Sequence, residues 1–129
     1  MAIPRSSQPD AEIARPGMPG AREELAGVLH ASTMVPDLIS DSKIGALKVL
    51  VDLLHVRGVV DDSLSFLQAV LERENLESTV LDGIIALPHA RSRSVRRLGM
   101  AVGICRQPLD FPSGDDRHGV RLVGLIAVP

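Results

Sequence analysis

A chain of 129 residues, 45% of them hydrophobic, is long enough for one ordinary domain and too apolar to be disordered throughout. With two Phe and no Trp or Tyr, its core is aliphatic and it lacks aromatic platforms for stacking bases or sugar rings. A net charge of −2, from 14 basic and 16 acidic residues, gives none of the basic excess of a polyanion binder, so nucleic acid is not an expected partner.

Residues 1–22 read as a tail: Pro4, Pro9, Pro16 and Pro19 fall there among Ser, Gln and Gly, with little periodicity. The expected domain is 23–129. Residues 23–30 fit a short helix with Leu25, Val28 and Leu29 on one side. Residues 34–39 are apolar around Pro36, which suits an edge strand. Ser40, Asp41 and Ser42 offer N-cap oxygens to a helix with Ile44, Leu47, Leu50, Val51 and Leu54 on one stripe, ending at Gly58 after Arg57. A second helix follows Asp61 and Asp62, with Leu64, Leu67, Val70 and Leu71 as its stripe, and runs to about Glu74.

From Gly83 the character changes. Residues 83–88 form a short apolar run closed by Pro88, expected as a buried strand that stops at a loop. Residues 98–105 and 120–128 read as two more strands, so continuously apolar that both faces are expected to be covered. Residues 110–116 form a turn segment between them. Helices ahead of buried strands indicate an α/β layered domain. Because the chain stops at Pro129, directly after its most hydrophobic strand, a C-terminally truncated domain is expected.

Cys105 is the one cysteine, which excludes an internal disulfide framework and a multi-thiolate metal site; its apolar surroundings predict a buried, inert thiol. No stretch approaches the ~20 apolar residues of a membrane span. No apolar signal-peptide region appears near Met1 either, so a cytoplasmic location without membrane insertion is expected. Of the four histidines, His55 reads as a satisfied structural residue beside the first helix stripe, and His30 and His118 as surface residues. No pair has zinc-ligand spacing, so no metal and no other cofactor is expected. Arg91, Arg93, Arg96 and Arg97 read first as a solvated surface. His89 differs in context: it follows Pro88 at a strand end, where α/β proteins place chemistry, and its imidazole is expected at the rim of the sheet.

Arg73-Glu74, then Ser78-Thr79, then Ile85-Ala86-Leu87-Pro88-His89-Ala90-Arg91, and later Gln107-Pro108-Leu109-Asp110-Phe111 and residues 120–129, occur in one order. Together they resemble the signature of the IIA domains of the phosphotransferase system (PTS), fructose/mannitol type, whose relatives include nitrogen-regulatory IIA proteins. The resemblance covers residues 23–129. It implies a three-layer α/β/α sandwich with a mixed sheet, and a domain whose closing helices follow residue 129.

The resemblance also implies a phosphocarrier. His89 would accept a phosphoryl group from an HPr-like carrier protein and pass it to a cysteine of a IIB domain; Arg73 would stabilise the phosphate, with Thr79 as a possible support. Physical chemistry fits these roles. A neutral imidazole is a good nucleophile near pH 7. An arginine fork suits the equatorial oxygens of a transferring phosphoryl group. Other readings stay open: Arg73 as a cation at a helix C-terminus, Thr79 as a turn stabiliser, and the chain as a regulatory module controlling partner proteins or a degenerate binding domain. Asp82 and Ile84 stand where the family pattern has glycines. A carboxylate at Asp82 would repel a phosphoryl group if it pointed inward, and Gly83 would compensate by shifting the turn one residue.

Overall fold

The computed structural model describes residues 33–111 and 119–129, and shows a six-stranded mixed sheet with two helices. The tail, the helix expected at 23–30, His30, His118 and most of the 110–116 turn segment lie outside the described residues. In chain order the elements are β1 (Met34–Leu38), α1 (Lys43–Val56), α2 (Ser63–Leu76), β2 (Val80–Leu81), β3 (Ile85–Ala86), β4 (His89–Arg91), β5 (Gly99–Asp110) and β6 (Gly119–Val128). The sheet order is β1-β5-β6-β3-β2, and β4 also pairs with β6. Pairing is parallel for β1 with β5 and for β3 and β4 with β6, and antiparallel for β5 with β6 and β2 with β3. Pro36 is tolerated because β1 is the edge strand the sequence predicts.

Both helices start where capping oxygens allow. The Ser42 hydroxyl accepts from Gly45 N at 2.9 Å, and the Asp62 carboxylate accepts from Ser65 N at 3.1 Å. Gly58, at φ 76°, turns the chain out of α1 while its N–H reaches the His55 carbonyl at 3.0 Å. The Ser65 backbone and hydroxyl hydrogen bonds hold the Asp62 carboxyl below the ordinary aspartate range. A depressed folded value means the cap contributes above the unfolded aspartate value and is lost as pH falls through the folded one. Urea unfolding of wild type and Asp62→Asn below about pH 5 checks this: the gap between them narrows as acid protonates Asp62.

The core forms between the helices and one sheet face. Leu47, Leu50, Leu54, Phe66 and Val70 meet Ala86, Ala90, Ala101, Val123, Leu125 and Ala127, all buried. Gly103 lets α1 approach closely, since a Cβ there would lie 2.6 Å from Leu38 and 3.4 Å from Leu50. Three sequence expectations need correction. On α1, Ile44 is exposed and Ala46 takes its place; on α2 the anchor is Phe66, with Leu64 exposed, so Phe66, Val70 and Glu74 share the inward row at four-residue spacing. α2 runs two residues beyond Glu74, to Leu76.

The strands are not covered on both faces among the described residues. In β6, Val123, Leu125 and Ala127 are fully buried, whereas Leu122, Ile126 and Val128 are only partly so, and Ile104 across from Leu122 is exposed. The second face is partly shielded by its own side chains: Met100 and Leu87 lie over Gly124. Finally, β5 runs five residues past Cys105, through an irregularity in its pairing with β6 that accommodates Pro108.

Candidate functional site

Near its C-terminus α2 carries Arg73 and Glu74 on different sides. Arg73 is half-buried, and its Nη1 donates to the Glu77 carbonyl at 2.9 Å, at the end of α2. Glu74 points inward and is buried. Its Oε1 faces the Lys43 ammonium of α1 at 3.1 Å, outside hydrogen-bond alignment, so charge rather than a hydrogen bond compensates this oxygen. Lys43 also lies over the Phe111 ring, 5.1 Å from its centroid. The other carboxylate oxygen accepts from the Thr79 hydroxyl. Of the two roles open to Thr79, its hydroxyl proton is thus engaged in holding the segment after α2. The Thr79 carbonyl accepts from Leu87 N at 3.0 Å.

β2 and β3 are joined by a tight turn in which Asp82 and Gly83 take φ of 54° and 77° and Ile84 N donates to the Leu81 carbonyl at 3.3 Å. Two successive positive φ values are the conformation for which Asp-Gly is a favoured pair. The departure from the glycine pattern is therefore locally consistent. Asp82 is exposed and does not line the cleft described below. If the chain has the carrier role that the resemblance implies, replacing Asp82 by Gly is expected to leave phosphoryl acceptance unchanged. Replacing Gly83 by Ala is expected to destabilise the domain by about 1–2 kcal/mol, readable as a lower urea midpoint.

The strand before His89 does not stop at Pro88. Ile85 pairs with Leu122 and His89 with Ile126, the same offset of 37 residues (122 − 85 and 126 − 89), so β3 and β4 are one line beside β6. Pro88 removes one donor from the ladder, yet its carbonyl still accepts from Ile126 N at 2.9 Å. His89 thus opens β4, half-buried at the sheet margin, just past the last link to β2. The rim position holds, but through an interrupted strand rather than a loop.

The His89 ring nitrogen Nδ1 lies 2.9 Å from the Leu87 carbonyl. A carbonyl only accepts, so in the neutral imidazole this contact places the proton on Nδ1 and the lone pair on Nε2. His89, Arg73 and Thr79 line one cleft of about 440 Å³, together with Leu81, Leu87, Ile126 and others. This largely apolar hollow is also lined by Glu77 and Ser78, so its charged and ionisable lining is Arg73, His89 and Glu77, with Arg73 supplying the positive charge that an anionic group carried on nitrogen needs.

The remaining candidates take structural places. His55 is exposed, and its Nδ1 donates to the Val60 carbonyl at 3.0 Å. Arg97 donates to the Arg57 and Gly58 carbonyls at the end of α1, Arg96 lies 3.8 Å from Asp61, and Arg91 donates to the Pro129 carbonyl. Cys105 is buried, and burial pushes its thiol up. Among the described residues no cluster of His, Cys, Asp and Glu could hold a metal ion, and no helix is long and apolar enough to cross a membrane. A wider hollow of about 640 Å³ near β1 contains Arg106, whose guanidinium already pairs with Asp37 at 2.5 and 3.0 Å. Sequence reading missed the inward role of Glu74 and the partnership with Lys43. The signal available was the four-residue spacing from Phe66 through Val70 to Glu74.

Comparison with known proteins bears on the family and the fold. The sequence profile of the family described as phosphoenolpyruvate-dependent sugar phosphotransferase system, EIIA 2, matches residues 28–129. The chain is 35% identical over 108 residues to the PTS system fructose-specific EIIA component of Haloferax volcanii, covering 79% of this chain and 70% of that protein. It is 29% identical over 105 residues to the 2-O-alpha-mannosyl-D-glycerate-specific EIIABC component of Escherichia coli, covering 81% of this chain but only 16% of that much longer protein. Among solved structures, nitrogen regulatory protein IIA-Ntr from Neisseria meningitidis superposes with a TM-score of 0.73 at 27% identity, covering 82% of this chain and 71% of that one. Enzyme IIAMtl of Escherichia coli, solved in complex with phosphorylated enzyme IIBMtl, gives 0.62 at 25% identity, covering 77% and 69%. The chain belongs to the EIIA 2 family of the phosphoenolpyruvate-dependent sugar phosphotransferase system.

Proposed function

We propose that this chain is a phosphocarrier that takes a phosphoryl group from a phosphorylated HPr-like protein onto Nε2 of His89 and gives it to a cysteine of a IIB domain. The observation that carries the reading is the 2.9 Å contact of His89 Nδ1 with the Leu87 carbonyl, which in the neutral ring leaves the lone pair on Nε2 of a residue that lines one cleft with Arg73. In the first step the Nε2 lone pair forms a bond to phosphorus. The bond to the donor's imidazole nitrogen breaks, and that nitrogen keeps the electron pair. In the second step a thiolate attacks phosphorus, the N–P bond breaks, and His89 returns to its neutral form. The Arg73 fork meets the charge on the equatorial oxygens in both. All of this takes place in the cytoplasm, without metal or cofactor.

The likeness to IIA-Ntr favours a second use of the same chemistry, in which the phosphorylation state controls a partner protein instead of feeding a IIB domain. Both uses require phosphoryl acceptance. Incubating the protein with phosphoenolpyruvate, enzyme I and HPr, then recording intact mass in mild alkali, should show one acid-labile phosphoryl group. No added mass on folded protein would sink both.

A further inference from the structure

We propose that Glu74 and Thr79 are positioning residues for His89: they hold the carbonyl that selects the tautomer of the nucleophile. The inference rests on the phosphocarrier reading of His89 and extends it away from the cleft surface into the core.

A continuous series of contacts links the two ends. Lys43 of α1 faces the buried Glu74 carboxylate at 3.1 Å, and that carboxylate accepts the Thr79 hydroxyl proton. The carbonyl of the same Thr79 accepts from Leu87 N at 3.0 Å, and the Leu87 carbonyl accepts from His89 Nδ1 at 2.9 Å. Thr79 is therefore gripped by side chain and main chain at once. It passes the position of α2 to the one residue whose carbonyl meets the imidazole.

The Leu87 carbonyl has little freedom of its own. On one side its residue is tied through its N–H to Thr79; on the other, Pro88 fixes the backbone and is itself anchored by Ile126 N at 2.9 Å. The other link is Thr79, held by its hydroxyl contact with Glu74 beside the β2–β3 pairing that begins at Val80. A carboxylate with a 1% exposed side chain is an expensive way to pack two helices, since an apolar residue of similar volume would serve as well or better. Its placement is accounted for if the acceptor it supplies is required. Hydrogen-bond partners behind a functional imidazole fix its ring orientation and the identity of its free nitrogen, and losing one typically costs 10–100-fold in function at histidine metal sites.

The test uses the whole chain, labelled with nitrogen-15. Long-range proton–nitrogen correlation of the His89 ring reads the tautomer without any phosphorylation, and single-turnover phosphorylation by phosphorylated HPr reads the rate. Wild type is expected in the Nδ1–H form. Thr79→Val, which deletes the hydroxyl at nearly constant volume, is expected to lower the Nδ1–H fraction and slow phosphorylation by about tenfold. Thr79→Ser, which keeps the hydroxyl, is expected to restore both. Should Thr79→Val fail to fold, Thr79→Ala carries the same expectation without placing a methyl against the carboxylate. A folded hydroxyl-deleted variant with the wild-type tautomer and rate would overturn the proposal. A wild-type protein that is never phosphorylated would instead sink the phosphocarrier reading, and the ring correlation would still decide this one.

Discussion

Replacing His89 by Gln is expected to reduce phosphoryl acceptance to background while leaving the domain folded. The imidazole is half-buried at the start of β4, and its Nδ1 is hydrogen-bonded to the Leu87 carbonyl. A glutamine amide can donate to the same carbonyl, so the stability change should stay within about 1 kcal/mol. What glutamine lacks is a nucleophilic lone pair on nitrogen, because the amide nitrogen is conjugated with its carbonyl. His55 is no substitute: it is exposed on α1 and does not line the cleft that holds Arg73. Intact mass after incubation with phosphorylated HPr, alongside urea unfolding, checks both halves. An acid-labile phosphoryl group on folded His89→Gln would put the nucleophile elsewhere.

Arg73→Ala is expected to slow transfer by about 10²–10³, the typical loss when one preorganised donor is removed from developing negative charge. Arg73→Lys should fall between, since an ammonium is a point charge without the planar fork that spans two oxygens. Both variants also lose the Nη1 contact with the Glu77 carbonyl, so about 0.5–1.5 kcal/mol of stability goes with it. The two effects separate cleanly in single-turnover kinetics and urea unfolding measured on the same samples. If Arg73→Ala lost stability but kept the wild-type transfer rate, the arginine would be a helix-terminal cation and nothing more.

Much of the architecture was legible in the residues, and the legible parts share a cause. Ser42, Asp62 and Gly58 bound the two helices because caps act locally, over three or four residues. Pro36 marks an edge strand for an equally local reason, the missing N–H. The misreadings are non-local. Leu64 and Phe66 are both large and apolar, and only packing against the sheet decides which of them turns inward. Continuous apolarity in β6 cannot distinguish a face covered by helices from one half-covered by Met100 and Leu87. Pro88 ends a strand in isolation, but β6 offers acceptors and donors on both sides of it and the line resumes as β4.

The site divides in the same way. His89 and Arg73 stood out through the family resemblance, and the fold brings both to one cleft with Thr79. The buried carboxylate behind them was not apparent, because Glu74 beside Arg73 reads as an ordinary exposed helix residue. Only the tertiary structure shows that Lys43, some thirty positions earlier in the sequence, meets it.

The most direct measurement is the ring of phosphorylated His89 itself. Nitrogen-15 labelled protein, phosphorylated through enzyme I and HPr, would be recorded by long-range proton–nitrogen correlation and phosphorus-31 spectra. The predicted result is a single phosphohistidine, at His89, with phosphorus bonded to Nε2 and the proton retained on Nδ1. Phosphorus on Nδ1, or on any other residue, would contradict it.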